Sequence, residues 1–426
     1  MSLKWIVLGI AVLMYALIVM FPQRKSFSSV GAALLMLILG VVSPAAALGE
    51  LINWTVLMIF VGSLVIAELF IYSRVPAVIA DTIVLKSPNV GVAIVAILMM
   101  TGIISAFVEN VATVLVMAPI ALALCKKLDL DPTYFMVGLA VMANLQGTAT
   151  LVGDPPSMIF ADYAGYGFND FFVYHGKLSI FFAVQIGMIA GALFFYAYFA
   201  RRGGGKVEVE RETVLTWVPT VLLALMIAGL ALASFVYGGI SLASGLIVMA
   251  LGLIGIIWYR FIRKAEGSKV RELVKGLDWD TVFFLIGIFV VVGAIGKAGL
   301  LDDMADALDL LVGDNVLLGF LLIVGFSTLI SGFVDNVPYI IAMLPVAAKM
   351  AEFHHIAPEL YMFALLVGSC MGGNLTPFGA SANVVSVGIL RKQGITVSFT
   401  QWLKIGLPFT LLTTAASSVF IWLVWR

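Results

Sequence analysis

Charged side chains are scarce in this sequence. Asp, Glu, Lys and Arg make up 11% of its 426 residues, whereas hydrophobic residues make up 62%. A soluble globular domain is closer to a quarter charged and half apolar. A chain of this composition cannot cover its surface with polar side chains, so a lipid bilayer must solvate most of it. This excludes a cytosolic enzyme, a nucleic-acid-binding protein and a disordered protein.

Cysteine and histidine are also rare. Cys125 and Cys370 lie far apart within apolar stretches, which excludes a disulfide framework and a structural zinc site. We interpret both as small buried residues. The three histidines, His175, His354 and His355, fall in predicted loops and are interpreted as surface residues. Because we find no nucleophile–base pair and no metal-binding spacing, we do not expect an enzyme.

Ten apolar runs are long enough to cross about 30 Å of hydrocarbon, which takes roughly 20 residues. They are 4–21, 28–48, 53–72, 133–163, 177–200, 214–237, 240–262, 279–297, 358–391 and 402–425. The first is interpreted as a span rather than a signal peptide, since no small-residue cleavage site follows it. The shorter segments 73–86 and 299–312 are interpreted as interfacial connectors.

Four of the apolar segments are interrupted. Runs 133–163 and 358–391 contain stretches rich in Gly, Pro and Thr, and are predicted to be broken helices. The apolar pairs 89–127 and 314–352 each have a polar break at the middle. Each pair therefore returns to the side from which it came, either as a re-entrant hairpin or by crossing twice.

The basic residues predict the orientation in the membrane, because Lys and Arg collect on the cytoplasmic side. With Arg24 and Lys25 inside, all but five of the 24 basic residues fall on the same side. The five exceptions are Lys4, Lys177, Lys297, Lys349 and Arg426. Both chain ends are then predicted to face outward from a plasma or inner membrane.

The sequence contains an internal repeat. A single constant offset aligns Ile104-Ser-Ala-Phe-Val-Glu-Asn-Val111 with Ile330-Ser-Gly-Phe-Val-Asp-Asn-Val337, and we call it the repeat offset. Five predicted crossings separate equivalent spans, so the copies, about 1–205 and 206–426, are predicted to have opposite orientations. The charged segment 201–212 between them is interpreted as a solvated linker.

An inverted repeat with interrupted helices is typical of alternating-access transporters, whose site lies near the bilayer midplane. The chain has no Gly-x-x-x-x-Gly-Lys-Ser/Thr loop and no room for an ATPase domain. Transport would therefore depend on an ion gradient.

Two acidic triplets occupy the same repeat position, Glu109-Asn110-Val111 and Asp335-Asn336-Val337. Each lies in the break of an apolar pair, where carbonyls and helix-terminal amides are exposed. Carboxylate and amide oxygens suit Na⁺, so Glu109, Asn110, Asp335 and Asn336 are the candidate sodium ligands. A carboxylate at membrane depth could instead carry a proton. The alternative is that both carboxylates merely cap helices in water.

A second pair of motifs lies in the two broken helices, at 144–157 and 372–383. Unwound backbone at membrane depth survives only when it is buried in protein or lines a wet cavity. The alternative is a kinked packing helix whose Thr hydroxyls bond to their own backbone. The candidate binding residues of these motifs are Gly147, Thr148, Thr150, Gly153, Asp154, Asn374, Thr376, Gly379, Ser381 and Asn383.

These motifs resemble those of the ion transporter superfamily, and most closely the branch of arsenite permeases, D-type sodium–proton antiporters and the melanosomal P-protein. The resemblance rests on segments 105–113, 147–156 and 372–384 and covers nearly the whole chain. It implies an all-α polytopic membrane protein with about ten transmembrane helices, two re-entrant hairpins, and scaffold and transport domains. It also implies a homodimer and an elevator-type movement of the transport domain.

Related divalent-anion–sodium symporters carry Ser-Asn-Thr at both hairpin tips. By resemblance, the tips of this chain bind coupling ions, with the broken helices completing the sites. Their different triplets make a dicarboxylate substrate less expected. We find no Lys or Arg in the predicted cavity, so its carboxylates would repel an anion unless cations or protons arrive first.

The sequence therefore predicts a Na⁺- or H⁺-coupled secondary transporter of a small ion or solute. Its concrete forms are a Na⁺/H⁺ antiporter and an arsenite or oxyanion efflux permease. Arsenite ranks lower because it favours thiols and neither cysteine falls in the predicted site. A channel and a dicarboxylate symporter rank below both. No cofactor is expected apart from bound Na⁺, and the expected partners are the lipid bilayer and the transported solute.

Overall fold

The computed structural model of the chain describes residues 3–21, 24–127, 130–199 and 212–426. The first half contains ten helices and one short antiparallel hairpin, β1 (Val173–Tyr174) and β2 (Lys177–Leu178). The helices are α1 (Leu3–Met20), α2 (Lys25–Ile38), α3 (Pro44–Ala46), α4 (Trp54–Tyr72), α5 (Val75–Lys86), α6 (Val90–Ser105), α7 (Asn110–Lys127), α8 (Thr133–Gly147), α9 (Pro155–Ala164) and α10 (Ile180–Phe199).

The second half also contains ten helices. They are α11 (Val218–Tyr237), α12 (Leu242–Ile257), α13 (Gly267–Gly276), α14 (Trp279–Lys297), α15 (Leu300–Val312), α16 (Val316–Ser331), α17 (Asn336–Phe353), α18 (Pro358–Gly372), α19 (Ser381–Lys392) and α20 (Phe399–Trp425). Within the described ranges, eight helices, one of them α12 with its continuation to Ile262, are long and apolar enough to cross a membrane.

The helix boundaries of the hairpins and of the broken helices coincide or nearly coincide at the repeat offset. The hairpin helices α6 and α7 match α16 and α17 at both ends, and the broken pair α8–α9 closely matches α18–α19. Between the start of α4 and the start of α14 the chain makes five membrane crossings. They are α4, the α8–α9 pair, α10, α11 and α12. Because five is odd, the halves are inverted repeats, as the sequence predicts.

The helices form two groups. The scaffold group consists of α1, α2, α4, α11, α12 and α14, in which α4 packs along α12 and α14 packs along α2. The hairpin group consists of α6–α10 and α16–α20, in which α7 packs against α19 and α17 against α9. Each interface thus pairs one repeat with the other. The core lies in the hairpin group, where every residue of α8 except Tyr134 and every residue of α18 except Pro358 is buried.

Two sequence predictions need correction. The predicted span 28–48 is not one helix, because α2 ends at Ile38 and Gly40 adopts a φ of +69°, a left-handed conformation that suits glycine and stops a helix. The chain resumes as a helical turn at α3. The loop predicted after 240–262 contains α13, an amphipathic helix with no buried residue. The predicted linker 201–212 lies outside the described residues except for Glu212, so the domain boundary near 205 stays a prediction.

Candidate functional site

The two hairpin tips have the same construction. In each, the first helix ends with a serine, a short turn follows, and the second helix starts at an asparagine. The tip carboxylates cap that second helix: Glu109 Oε2 accepts from the Ala112 amide (2.9 Å), and Asp335 Oδ1 accepts from the Val337 amide (3.1 Å). Capping satisfies amides that have no partner within the helix. The capping role is therefore present, but these caps line a cavity between the two helix groups.

The helix breaks hold the hairpin tips by equivalent hydrogen bonds. The Thr150 hydroxyl donates to the Ala106 carbonyl, and the Thr376 hydroxyl donates to the Gly332 carbonyl at 2.6 Å. The repeat offset relates the two donors to each other and the two acceptors to each other. Each bond ties a break to the tip of the hairpin in its own repeat.

A second pair of equivalent bonds closes each break. Asn383 Nδ2 donates to the Gly373 carbonyl (2.9 Å). At the equivalent place, Ser157 Oγ lies 3.3 Å from the Gly147 carbonyl and shares its proton between that carbonyl and the nearer Asp154 Oδ1 (2.7 Å). The Thr hydroxyls and these two groups therefore bond across the fold rather than to their own helical turn. This arrangement matches unwound segments and not kinked packing helices.

Glycine is required where the tip meets the break. A Cβ atom on Gly147 would collide with the side chain of Asn110, and a Cβ on Gly153 would collide with the Gly147 carbonyl. A larger residue at Gly153 would require backbone movement, and one at Gly147 would require the Asn110 side chain to leave its position. The polar tip of the first hairpin is thus pressed directly onto the break in its own repeat.

An asparagine cluster joins the two breaks at the centre of the hairpin group. Asn144 Nδ2 donates to Asn374 Oδ1 and to Asn383 Oδ1, both at 2.8 Å. Asn383 Nδ2 also donates to the Thr376 carbonyl (2.8 Å), and the Trp402 indole donates to the Asn374 carbonyl (2.9 Å). These buried hydrogen bonds fix one arrangement of the backbone.

A small cavity of about 40 Å³ lies where the hairpin tips and the breaks meet the scaffold group. Its lining comes from both repeats and from both helix groups. The lining residues are Lys25, Phe60, Glu109, Asn110, Asn144, Asp154, Pro155, Pro156, Asp278, Thr281, Asp335, Asn336, Val337, Ala380, Ser381 and Ala382.

The cavity brings together seven of the candidate binding residues: Glu109, Asn110, Asp154, Asp335, Asn336, Val337 and Ser381. The other candidates do not line it. Most of these are buried behind it, where they build the breaks: Gly147, Thr148, Thr150, Gly153, Asn374, Thr376, Gly379 and Asn383. The remaining candidate, Val111, is partly buried in the first turn of α7.

The prediction that the cavity contains no Lys or Arg is wrong. Lys25 lines it, with Nζ 2.9 Å from Asp335 Oδ2. The sequence places Lys25 next to Arg24 in a polar segment, which indicates a loop. Its partner is 310 residues away, so no local pattern could have revealed the pair. Asp278 is a second cavity residue that the sequence does not single out, because it lies between the predicted spans 240–262 and 279–297.

Several oxygen atoms on the first-repeat side of the site have no hydrogen-bond partner among the described residues. They are Asp154 Oδ2, Asn144 Oδ1 and Thr148 Oγ1. The Asn110 amide and the Cys370 thiol lie within interaction range of the Asp154 carboxylate but do not reach Oδ2 with hydrogen-bond geometry. Asp154 is 2% exposed, and its other oxygen accepts from the Ser157 amide (3.1 Å) and hydroxyl (2.7 Å). A buried acceptor without a donor is costly. Hard oxygen atoms in this state suit a small cation.

One of the two buried cysteines, Cys370, lies close to the site. Cys370 does not line the cavity, but its buried thiol lies within interaction range of the Asp154 carboxylate and the Thr148 hydroxyl. The expectation that neither cysteine lies in the site therefore stays a prediction, with Cys370 packed close to Asp154.

Comparison with known proteins identifies relatives of the whole chain. A family model described as citrate transporter (CitMHS) matches residues 15–368. An uncharacterized transporter of Mycobacterium tuberculosis is 30% identical over 376 residues, covering 87% of this chain and 86% of its own. The 46 kDa membrane protein of Mycobacterium leprae is 30% identical over 441 residues, covering 98% of each chain. The human P protein is 24% identical over 415 residues, but only 48% of its length is covered.

Two solved transporters share the fold. The YdaH transporter of Alcanivorax borkumensis superposes with a TM-score of 0.60 at 17% identity, covering 91% of this chain and 87% of its own. MtrF of Neisseria gonorrhoeae, from a class of antimetabolite efflux pumps, has a TM-score of 0.58 at 16% identity, covering 91% and 83%. These likenesses support the architecture of inverted repeats. The chain belongs to the citrate transporter (CitMHS) family of the ion transporter superfamily and is a multi-pass membrane transporter.

Proposed function

We propose that this protein is a secondary active transporter coupled to Na⁺ or H⁺, with Na⁺/H⁺ exchange as its leading form. The observation that carries this proposal is the cavity at the hairpin tips, which is small and rich in carboxylates. Glu109, Asp154, Asp278 and Asp335 line it, and Lys25 is the one basic residue among its described lining residues. This excess of carboxylates favours cations over anions.

The size of the cavity supports an ion as the occupant. Its volume of about 40 Å³ exceeds the roughly 10–15 Å³ that one water needs, so it suits an ion with few waters. Pockets for drug-sized organic ligands are larger by about an order of magnitude, roughly 300–1,000 Å³. A citrate-like carboxylate would need a different conformation and prior neutralisation of the carboxylates.

The position of the cavity supports an elevator-type cycle. The cavity touches the starts of α2 and α14, whereas among its described lining residues none belongs to α12 and only Phe60 belongs to α4. In an inverted repeat, α4 and α12 are the counterparts of α14 and α2. If the hairpin group moved toward the starts of α4 and α12, the cavity would open to the opposite side of the membrane. The distribution of basic residues places the start of α2 on the cytoplasmic side, so we infer that the cavity lies toward the cytoplasm in this conformation.

The family resemblance also supports a homodimer, and the distribution of basic residues supports a plasma-membrane orientation with both chain ends outward. The arsenite alternative is not favoured by the cavity, because the Cys370 thiol lies behind Asp154 rather than in its lining. A channel would use the same cavity with both gates open at once.

The proposal is tested by reconstitution in liposomes that contain a pH-sensitive dye, with ²²Na⁺ as tracer. An imposed Na⁺ gradient should drive saturable proton movement, and an imposed pH gradient should drive ²²Na⁺ movement. Arsenite, chloride and citrate are then tested as co-substrates under the same gradients. Non-saturating flux that is independent of the second gradient would indicate a channel and contradict the proposal.

A further inference from the structure

The two repeats share one backbone arrangement at the hairpin tip and the break but carry different charged side chains there. At the repeat offset, Glu109 is equivalent to Asp335, whereas Asp154 is equivalent to Ala380. All four residues line the cavity. At the hairpin tip and the break, the first repeat thus contributes two carboxylates and the second contributes one. Asp278, at the start of α14 in the scaffold group, is a further lining carboxylate from the second repeat.

A lysine of the scaffold group faces Asp335, the hairpin-tip carboxylate of the second repeat. Lys25 Nζ lies 2.9 Å from Asp335 Oδ2 and 5.2 Å from the centroid of the Phe284 ring. The side chains of Lys25 and Asp335 are only 11% and 23% exposed. At the repeat offset Lys25 corresponds to Leu251 of α12, so the repeat supplies no second lysine here.

The oxygen atoms around Lys25 already have partners. Asp335 accepts from the Val337 amide with Oδ1 and from Lys25 with Oδ2. Asp278 accepts from the amide (3.0 Å) and hydroxyl (2.6 Å) of Thr281, and Asp280 accepts from the Ser26 hydroxyl. On the first-repeat side, by contrast, Asp154 Oδ2 and Asn144 Oδ1 have no partner within the described chain.

We propose that the Lys25 ammonium is a built-in counter-cation that fills the second-repeat half of the site. The exchangeable cation then binds only in the first-repeat half, at Glu109 and Asp154. The inference rests on the proposed cation coupling and adds to it: Lys25 sets the number of cations bound per protomer. An ammonium group has the charge of Na⁺ and donates to the same oxygens, so it excludes a second cation from Asp335.

The test is equilibrium binding of ²²Na⁺ to purified protein, with the Na⁺-dependent shift in melting temperature as a second readout. The wild type should bind one Na⁺ per protomer. Lys25→Met should raise this to two, and Asp335→Asn in that background should return it to one. Lys25→Arg keeps the positive charge and should bind one. Lys297→Met is the matched control, since it removes an exposed lysine paired with Glu50 (3.2 Å) outside the cavity.

The outcomes separate the inference from the proposed function. A folded Lys25→Met protein that binds the same number of Na⁺ ions as the wild type would overturn the role of Lys25. If the wild type binds no Na⁺ but Lys25→Met binds one that Asp335→Asn removes, the role of Lys25 stands and Na⁺ coupling fails. If Lys25→Met does not fold, Lys25→Gln provides the same comparison with a polar side chain. A structural role alone would change melting temperature without changing stoichiometry.

Discussion

The two helix breaks of this transporter are alike in hydrogen bonding and different in charge. Thr150 and Thr376 make the same bond to their hairpin tips, and Ser157 and Asn383 close the two breaks in the same way. Yet Asp154 faces the cavity in one repeat and Ala380 in the other. The bonds that shape the backbone are shared, and the charges that would bind an ion are not. Architecture and ion chemistry therefore reside in different residues, and substitutions should separate them.

The largest expected effect is at Glu109. Glu109→Gln removes a cavity charge but keeps an oxygen that can accept from the Ala112 amide, so the tip should fold normally. A charge at about 4 Å from a cation is worth about 4 kcal/mol at an effective dielectric of 20, so Na⁺ affinity should fall by about a thousandfold. Coupled flux in liposomes measures this.

The matched control is Glu50→Gln, which removes an exposed carboxylate paired with Lys297 and should leave coupled flux unchanged. Wild-type coupled flux in the Glu109→Gln protein would remove Glu109 from the ion site.

Asp154 should show the second-largest effect. Asp154→Asn keeps the cap on α9, since asparagine caps a helix about as well as aspartate. Loss of the charge should weaken Na⁺ binding by about 2–3 kcal/mol, in the range of hydrogen bonds to charged groups. The melting temperature without Na⁺ should stay close to that of the wild type. A large loss of stability with normal Na⁺ affinity would make Asp154 a structural residue only.

The two threonines should behave alike, because their bonds are equivalent. Thr150→Val and Thr376→Val each leave a buried carbonyl without a donor and should each cost about 1–3 kcal/mol of unfolding free energy. Thr82→Val, whose hydroxyl bonds to its own helix at an exposed position, is the control. Chemical unfolding in detergent measures all three. If only one of the two threonine variants lost unfolding free energy, the two helix breaks would not be structurally equivalent.

The smallest effect is expected from Asp335→Asn. This change frees the Lys25 ammonium beside Glu109 and Asp154 and should lower Na⁺ affinity about tenfold, or about 1.4 kcal/mol. Adding Lys25→Met should remove the effect. A Na⁺ titration of the melting temperature tests both variants. Unchanged affinity in Asp335→Asn would mean that Lys25 does not reach the bound cation.

The sequence predicts the hairpins and broken helices well because polar residues interrupt long apolar runs there. The repeat strengthens those predictions, since α6 and α7 match α16 and α17 at both ends. The span 28–48 fails because nothing in its hydropathy shows that Gly40 turns the chain. The amphipathic α13 was missed because its charged residues also suit a loop.

The site was predicted less completely than the fold. Local motifs identify Glu109, Asp154 and Asp335, because carboxylates in apolar sequence are rare. They cannot identify Lys25, whose role comes from a contact between α2 and the distant start of α17. The same limit applies to Cys370, which lies in an apolar stretch and meets Asp154 only through packing of α18. Contacts between helices set these roles, and a single sequence does not specify them.

The central claim is that unequal charge at two similar breaks decides where the cation binds. The most direct measurement is the anomalous signal of Tl⁺, a heavy monovalent cation, in crystals of the wild-type protein. The account predicts one peak beside Glu109 and Asp154, with Lys25 still paired to Asp335. A peak at Asp335 with Lys25 displaced, or equal peaks in both repeats, would contradict it.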